Sequence, residues 1–410
     1  STEVRHEIER AILDGTLPIL YTSPESIIQS RLYGVCLQAA KAGHIARLVI
    51  DEAHLVETWG AGFRVAFQLL GTYRRMLLQE GKGQLKTLLL SATVTRSGFD
   101  VLSKLFSEED NFVSVQANRL RSEIEYYFDY SHSQKEREQK ILQAMRILPR
   151  PLILYVTQPK QADNWLKVLR QAKYKRVQTF HGNTPNTIRQ RLIRDWDENK
   201  VDIMVATSAF GLGVDKRHVR SIVHATAPEN LDRLYQEVGR GGRDGCRSVS
   251  LISITEKDKD LASALLPKRL TVELAYQRWL HMWETNKLHP DKDGINLIDR
   301  DAIRKDAPKM LPGETNREWN FHMLLLLQRA GIIEITEIYP FNSDADDKVN
   351  WLPIRLLKPD VFKNEATFRV AFDRTRDDEQ EDINKNRDHI FDLVKSYAFE
   401  KTSEKKQSSK

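Results

Sequence analysis

The amino-acid sequence predicts a mixed α/β fold, with parallel sheets over the first 255 or so residues and a helix-rich region after about Glu256. Short apolar runs alternate there with amphipathic stretches, which is typical of parallel α/β layers. Most runs are followed at once by small or polar residues, at the strand ends where open α/β sheets bind ligands. The predicted strands are residues 17–21, 47–50, 87–90, 151–156, 177–180, 202–205, 221–223 and 248–252.

The length of the chain predicts more than one domain. At 410 residues it exceeds what a single hydrophobic core ordinarily holds, so two or three domains are expected. The basic, polar stretch 116–123 lacks strong periodicity and is the expected linker between two parallel-sheet lobes. The predicted division is residues 1–118 and 119–255 for the lobes, 256–398 for an α-rich accessory domain, and 399–410 for a disordered tail.

Composition restricts the class of protein only in part. A net charge of +6 and a sequence pI of about 9.0 permit a basic track for a polyanion, but they fit a ribosome-associated protein or a metabolic enzyme equally well. With two cysteines, the chain has neither a disulfide framework nor a four-cysteine zinc site, and Cys246 is expected to be a small core residue. Without a long apolar run or a secretory signal, the expected location is the cytoplasm or nucleoid, with no membrane contact.

The sequence LVIDEAH (48–54) places two adjacent carboxylates, Asp51 and Glu52, at the end of a predicted strand. Hydrolysis of a phosphoanhydride needs one carboxylate to hold Mg²⁺ and another to orient or deprotonate the attacking water. Asp51 suits the first role and Glu52 the second, and His54 completes the motif. The alternative is a surface acidic pair that caps the following helix.

Small hydroxyl residues follow the next predicted strand, in the sequence SAT. Ser91 and Thr93 are placed to hydrogen-bond the acidic motif and thereby to link the nucleotide state to domain movement. Ser-Ala-Thr alone is a common turn sequence. Its position after DEAH is what supports a functional role.

A glycine-containing turn, ATSAFGLGVDK (206–216), lies in the second predicted lobe. Gly211 and Gly213 allow close backbone approach to a phosphate, and Thr207 offers a hydroxyl donor to nucleic acid. Asp215 is expected to accept from a ribose or from the network between the lobes. The alternative is an ordinary strand-to-helix turn.

In YQEVGRGGRDG (235–245), Arg240 and Arg243 lie three residues apart, on one face of a predicted helical turn. Such a pair can reach across a cleft and neutralise charge on a transferring phosphoryl group, as an arginine finger does. Gln236 is expected to position the arginines or the attacking water. For an RxxR pair in general, the alternative is a solvated basic face.

Together these motifs resemble those of superfamily-two helicases, and specifically of the RecQ family. DEAH, SAT, AFGLGVDK and QEVGRGGRDG resemble motifs II, III, V and VI, in order and at suitable separations. Trp59, Phe63 and Arg64 resemble the family's aromatic-rich loop, which senses single-stranded DNA and couples it to ATP hydrolysis. FHGNT, with His181, is similar to motif IVa. The resemblance covers residues 7–252.

The resemblance implies two RecA-like parallel-sheet lobes, the first of them incomplete, plus an α-rich C-terminal domain. It also implies ATP hydrolysis with Mg²⁺ held by Asp51, and 3′ to 5′ movement on single-stranded DNA with separation of the duplex ahead. Single-stranded DNA and duplex junctions are therefore the expected partners. The residues expected to contact DNA are Trp59, Phe63, Arg64, Thr207 and His181.

The chain departs from the family pattern at the phosphate-binding loop. No G-x-x-x-x-G-K-[ST] occurs in it, and the nearest candidate, Gly81-Lys82-Gly83, follows DEAH and lacks the hydroxyl residue. Family architecture places that loop upstream of Ser1, so the first lobe is expected to be truncated. The missing half-lobe would come from the same gene or from a separate chain, and the fragment alone is expected to be inactive.

The C-terminal region departs from the family as well, because two cysteines cannot form its four-cysteine zinc module, and zinc is not expected. A winged helix and a plain helical packing domain are the two alternatives. In the winged helix, residues 299–307 and 316–331 form helices, Gly331 ends the second, and 332–339 begin a wing. The residues that would then face DNA phosphates or bases are Arg317, His322 and Arg329.

Two other functions stay open from the sequence alone. A DNA-binding scaffold or regulatory subunit without ATP turnover would account for the absent phosphate loop, whereas Glu52, Arg240 and Arg243 argue against it. An RNA helicase is the second, and the WGxxFR sequence at 59–64 disfavours it. Repair, recombination and anti-phage defence all use such motors, so the pathway stays open.

Overall fold

The computed structural model describes residues 2–56, 65–107, 111–117, 119–211, 214–264, 270–304, 306–307, 313–338, 351–372, 389–392 and 394–396. The chain divides into two compact units. Unit 1 combines Ser1–Ser114 with Pro267–Gln380, and unit 2 combines Val115–Leu266 with Glu381–Lys410. The division into two lobes and an accessory domain stays a prediction. Residues of the predicted first lobe and of the accessory region lie together in unit 1.

Helices and strands alternate along much of the described chain, as the α/β prediction requires. In chain order the helices are α1 (Thr2–Leu13), α2 (Pro24–Gln29), α3 (Leu32–Lys41), α4 (Val65–Glu80), α5 (Arg96–Phe106), α6 (Gln134–Ala144), α7 (Pro159–Gln171), α8 (Asn186–Asp197), α9 (Leu231–Val238), α10 (Lys257–Ala264), α11 (Val272–Glu284) and α12 (Glu314–Arg329), with 3₁₀ turns at Ala53–Val56 and Pro359–Phe362. The strands are β1 (Arg47–Ile50), β2 (Lys86–Leu89), β3 (Ile124–Tyr130), β4 (Leu152–Tyr155), β5 (Val177–Phe180), β6 (Ile203–Ala206), β7 (Ser221–His224), β8 (Ser248–Ile254), β9 (Lys287–Leu288), β10 (Ile295–Asp299), β11 (Ile333–Ile335) and β12 (Trp351–Leu356).

Unit 2 is built on a six-stranded parallel sheet with the strand order β3-β8-β7-β4-β6-β5. The central strands β4, β6 and β7 read LILY, IMVA and SIVH, and all of their residues are buried. Such largely apolar strands form where helices cover both faces of a parallel sheet. The prediction of a parallel α/β fold is confirmed by this sheet.

The winding of the sheet changes direction between β4 and β7. From β4 the chain runs through α7 toward β5, whereas from the neighbouring β7 it runs through α9 toward β8 on the other side. Because such crossovers are right-handed, the two helices cover opposite faces, and their apolar residues lie in different cores. A crevice is therefore expected at the carboxyl ends of β4 and β7.

Unit 1 contains a two-stranded parallel sheet, β1 beside β2, and a four-stranded antiparallel sheet in the order β11-β12-β10-β9. One hydrophobic core joins the helices of its two chain segments. Tyr73 and Leu77 of α4 belong to it, as do Trp279 of α11 and Leu327 of α12. The helices that follow the acidic motif and the helices of the accessory region therefore pack around the same core.

One face of the β1–β2 pair is open to solvent and presents two aliphatic residues beside the charged pair Arg47 and Lys86. Val49 pairs with Leu88 in the register, and each residue is 52% exposed. Ile50, whose side chain points to the other face, is buried. An exposed patch of paired aliphatic residues on a sheet marks a surface suited to contact with further polypeptide.

One predicted strand and one predicted helix of unit 1 are absent from the structure. Residues 17–21 form no strand, because β1 and β2 pair only with each other in the described part of unit 1 and Pro18 lacks a backbone donor. The described residues in 299–307 form no helix. The carbonyls of Arg300 and Ala302 instead accept hydrogen bonds from the side-chain amides of Asn320 and Asn316, in place of a helical ladder.

Other expectations for the C-terminal half have mixed outcomes. The helix predicted for 316–331 is confirmed as α12, and it ends before Gly331, which has a φ of 63°. Strand β11 confirms the start of the predicted wing, whereas β3 was not predicted. Cys246 is exposed, so its expected core position is wrong, because it lies in a surface turn that leads into β8. The predicted tail, 399–410, lies outside the described residues.

Candidate functional site

Asp51 and Glu52 follow β1 directly, at the carboxyl end of the strand. The backbone N–H of Glu52 donates to Oδ1 of Asp51 at 2.9 Å, and Glu52 has a φ of 52°. This left-handed conformation costs a residue with a side chain on the order of 1–2 kcal/mol. The turn leaves Asp51 exposed and brings Oε2 of Glu52 to 3.3 Å from Nδ1 of His54.

The SAT turn contacts the acidic motif directly. The backbone N–H of Ala53 donates to the carbonyl of Leu90 at 2.8 Å, which holds the two strand ends side by side. Oγ of Ser91 donates to the carbonyl of Thr93 at 2.6 Å and lies 3.0 Å from Nδ1 of His54. Since the hydroxyl hydrogen is used by Thr93, Nδ1 of His54 carries the hydrogen that is donated to Ser91. A change at Glu52 can therefore reach Ser91 through one imidazole ring.

The carboxylate of Asp51 at this strand end suits a magnesium ion that also binds a phosphate ligand. Asp51 is exposed, and carboxylate oxygens are the ligands that Mg²⁺ prefers. Within the described residues, no group of three or more His, Cys, Asp or Glu side chains could hold a metal. Mg²⁺ typically binds through one or two carboxylates plus substrate phosphates and water, so a single exposed aspartate fits that mode.

Arg240 and Arg243 lie in a turn, not on a helical turn as predicted. Helix α9 ends at Val238, and Gly239 is its C-cap residue. Gly242 has a φ of 59°, which ends helical geometry between Arg240 and Arg243. The glycines on either side of Arg240 therefore mark the end of the helix.

Arg240 and Arg243 each contact the glycine-containing turn that precedes them in sequence. Nη1 of Arg240 donates to the carbonyl of Gly211 at 2.8 Å, and a Cβ at Gly211 would lie 2.6 Å from Nη2 of the same arginine. Nη1 of Arg243 donates to Oδ1 of Asp215. The group that approaches Gly211 in this structure is the guanidinium of Arg240, whereas a phosphate was predicted there. Asp215 likewise accepts from Arg243 of the same unit.

Arg121 supports this arginine turn and was not predicted. Its guanidinium donates to the carbonyl of Gly239 at 2.9 Å and to the carbonyl of Gly242 at 2.6 Å. It comes from the segment read as a linker, 116–123. Because 118 residues separate the bonded groups, the only sequence signal is the basic character of NRLRSE.

The remaining predicted residues of unit 2 lie at strand ends or on α9. Thr207 follows β6 and is buried, and its N–H donates to the carbonyl of Phe180 at 3.1 Å. Nε2 of His181 lies 3.4 Å from Oδ1 of Asp163. Gln236 lies on α9, two residues before its end. Their predicted roles with DNA and nucleotide stay predictions.

A concave site occupies the crevice expected from the winding of the sheet. It lies at the carboxyl ends of β4 and β7, and its floor includes Tyr155 and His224, whose rings stack at 5.5 Å. Nε2 of the buried His224 lies 2.9 Å from Oε2 of Glu237 on α9. This pair connects the crevice with the helix that carries Gln236. The polar lining of the crevice includes Thr157, Ser208, Thr226, Glu229 and Arg233.

Three side chains of α12 that were expected to face DNA in a winged helix have surroundings within unit 1, and their contact with DNA stays a prediction. Arg317 donates twice to Asp301, at 2.8 and 3.0 Å. Burial, together with the nearby charge of Arg329, lowers the pKa of His322 to about 4, so the ring is neutral near pH 7. Arg329 donates to the carbonyl of Val56 and to Oε1 of Gln68. All three side chains are engaged within unit 1, which favours the packing alternative.

Four predicted site residues lie outside the described residues. They are Gly213, Trp59, Phe63 and Arg64. Their roles rest on the sequence alone. Among the described helices, none is both long and apolar enough to cross a bilayer.

Comparisons with known proteins agree with these motifs. The family model described as helicase conserved C-terminal domain matches residues 136–245. The RecQ-like DNA helicase blm-1 of Caenorhabditis elegans is 29% identical over 252 residues, with coverage of 59% of this chain and 24% of the relative. The ATP-dependent helicase wrn-1 of the same organism is 31% identical over 251 residues, with coverage of 58% and 22%.

A bacterial relative has a similar identity to this chain. The ATP-dependent DNA helicase RecQ of Bacillus subtilis is 28% identical over 269 residues, with coverage of 63% of this chain and 42% of the relative. The chain thus spans less than half the length of each of these three relatives. The residues matched by the family model lie within unit 2, which is built on the six-stranded parallel sheet. The chain thus contains a match to the helicase conserved C-terminal domain at residues 136–245, and it is similar to RecQ-type helicases over 58–63% of its length.

Proposed function

We propose that this protein is an ATP-dependent DNA helicase or translocase of the RecQ type. The observation that carries the proposal is the linked set of Glu52, His54 and Ser91 beside Asp51, at the ends of two paired parallel strands. Carboxylates linked to a hydroxyl turn are suited to pass the state of a bound nucleotide into the protein. ATP as cofactor and DNA as substrate are supported by the relatives.

In the proposed reaction, Asp51 holds Mg²⁺ against the nucleotide phosphates, and Glu52 orients or deprotonates the attacking water. Arg240 and Arg243 stabilise charge on the transferring phosphoryl group, and Gln236 positions them or the water. The contacts of Arg240 with Gly211 and of Arg243 with Asp215 support this role, because they restrict where each guanidinium lies before a substrate binds.

The proposed movement is 3′ to 5′ along single-stranded DNA, with strand separation at duplex junctions. Thr207 and His181 are proposed to contact the strand, because both lie at carboxyl ends of the parallel sheet. Trp59, Phe63 and Arg64 are proposed to stack on bases and bind a phosphate, from their sequence pattern alone. A location at the nucleoid accords with this substrate.

The chain carries no phosphate-loop sequence, so ATP binding is proposed to need a further polypeptide segment. The exposed face of the β1–β2 pair that includes Val49 and Leu88 is proposed as a surface where that segment packs. The proposed source of that segment is the same gene or a separate chain. The 410 residues alone are accordingly expected to show no ATP hydrolysis above background.

A DNA-binding scaffold without ATP turnover is the second candidate, and the absent phosphate loop is the observation that favours it. It accounts less well for the retained acid pair and arginine turn. Glu52 keeps a costly backbone conformation, and the absence of a side chain at Gly211 leaves room for the guanidinium of Arg240, whose Nη2 would lie 2.6 Å from a Cβ there. Features of this kind cluster at functional sites, which supports the motor.

The experiment that tests the proposal is steady-state ATP hydrolysis by the complete product of the gene. Single-stranded DNA is expected to stimulate hydrolysis tenfold or more, and a single-stranded RNA of the same sequence is expected to stimulate it several-fold less. Equal stimulation by the RNA would favour an RNA helicase. Hydrolysis at background with either nucleic acid, together with retained DNA binding, would establish the scaffold instead.

A further inference from the structure

Helix α4 carries a polar stripe inside unit 1. Gln68, Thr72 and Arg75 are spaced four and three residues apart, so they lie on one face of the helix. Gln68 and Thr72 are buried. Polar groups that are removed from water need hydrogen-bond partners, and here the partners come from the C-terminal segment of the chain.

Gln68, the N-terminal residue of the stripe, is bound by Arg329, the last residue of α12. Nη2 of Arg329 donates to Oε1 of Gln68 at 3.0 Å and also to the carbonyl of Val56. Nε2 of Gln68 donates to that same carbonyl. Val56 is the last residue of the 3₁₀ turn that follows the acidic motif. One guanidinium therefore ties the end of that turn to α4.

Thr72 and Arg75, the other two residues of the stripe, are bound by strand β11. Oγ1 of Thr72 donates to the carbonyl of Ile335 at 3.4 Å, and Nη2 of Arg75 donates to the same carbonyl at 3.3 Å. Arg75 also pairs with Glu334, whose second oxygen accepts from Arg355 on β12 at 3.0 Å. The antiparallel sheet of the accessory region is thus bound to α4 independently of Arg329.

The location of these contacts gives them a functional meaning. In sequence, Val56 and Gln68 stand on either side of residues 57–64, the segment that resembles the DNA-sensing loop. Val56 is four residues from Glu52, and Leu55 within the turn donates to the carbonyl of Glu52 at 2.9 Å. The turn thus connects Val56 with the backbone of Glu52 through one hydrogen bond.

We propose that Arg329 is a positioning residue that couples the accessory region to the acidic motif. It holds the turn Ala53–Val56 against α4, so that a change in α12 or its sheet alters how DNA binding is passed to Glu52. The inference rests on the proposed function for its effect on ATP turnover. The tether itself is independent of that function.

Hydrogen–deuterium exchange on the 410-residue chain tests the tether directly. Arg329→Ala is expected to speed exchange of the amides of 53–56 about tenfold or more, because a charge-assisted hydrogen bond to the turn is lost. Arg329→Lys, which keeps one donor and the charge, is expected to give an intermediate rate. The matched control is Arg317→Ala on the same helix, whose ion pair is with Asp301, and it is expected to leave 53–56 unchanged. Unchanged exchange in Arg329→Ala, or equal acceleration by the control, overturns the tether.

Coupling is tested on the complete product of the gene, as the ratio of ATP turnover with and without single-stranded DNA. Arg329→Ala is expected to lower that ratio at least fivefold and to leave DNA-free turnover within twofold of wild type, with partial recovery in Arg329→Lys. A wild-type protein that DNA does not stimulate would overturn the proposed function but leave the exchange result standing. Faster exchange with an unchanged ratio would overturn the coupling.

Discussion

Replacement of Arg240 by alanine is expected to lower kcat for ATP by about a thousandfold or more in the complete protein, the effect of losing an arginine finger. The guanidinium lies in a turn after α9, where its bond to the carbonyl of Gly211 limits its freedom. A charge held in place before the reaction stabilises a phosphoryl transition state without reorganisation. The measurement is steady-state hydrolysis at saturating single-stranded DNA and ATP.

Two further variants sharpen this prediction. Gly211→Ala places a Cβ 2.6 Å from Nη2 of Arg240, so it is expected to displace the guanidinium and reduce kcat about tenfold or more while the fold is retained. Arg247→Ala is the matched control, since this exposed arginine pairs with Glu125. It is expected to stay within twofold of wild type. An Arg240→Ala protein within tenfold of wild type would show that the arginine has only a structural role.

Replacement of Arg137 by methionine is expected to destabilise unit 2 by about 3–5 kcal/mol, the usual cost of leaving a buried charge alone. The side chain of Arg137 is 6% exposed, and that of its ion-pair partner Asp258 is 1% exposed. Asp258 also accepts from the N–H of Thr255 at 2.8 Å, which anchors the start of α10 to the sheet. The measurement is urea dependence of hydrogen exchange in peptides that cover β6 and β7.

A second substitution at Asp258 is expected to change the stability in the opposite direction. In Arg137→Met, Asp258 is a buried carboxylate without its counter-ion, so the additional change Asp258→Asn is expected to restore stability. The asparagine can still accept from Thr255. As a control, Lys200→Met removes the exposed pair with Glu198 and is expected to leave the stability close to that of wild type. A double variant less stable than Arg137→Met would contradict this account of the pair.

The parallel sheet and the placement of the motifs were predictable because both depend on local patterns. LVIDEAH and TLLLSAT each show an apolar strand followed by polar groups, and the structure places both polar groups at one sheet edge, with Ser91 3.0 Å from His54. The glycines of GRGG also mark their turn locally. The helical geometry expected for Arg240 and Arg243 ignored those glycines, which stop α9 at Val238.

What the sequence did not predict depends on contacts between distant residues. Strand β3 mixes aromatic and acidic side chains in IEYYFDY and lacks the continuous apolar run that marks the central strands. The Arg137–Asp258 pair joins residues 121 positions apart. The charges on α12 suggested DNA contact, but only the fold shows that Arg329 reaches Val56, 273 positions away. The segment 299–307 has helical composition, yet Asn316 and Asn320 bind its carbonyls.

The most direct measurement of the central claim compares wild type with Glu52→Gln in DNA-stimulated ATP hydrolysis by the complete protein. This change keeps the shape of the side chain and removes the carboxylate proposed to act on water. Turnover is expected to fall a hundredfold or more, with single-stranded DNA binding within about threefold of wild type. Glu80→Gln, an exposed residue at the end of α4, is the matched control. A Glu52→Gln protein that retains wild-type stimulated turnover would contradict the motor.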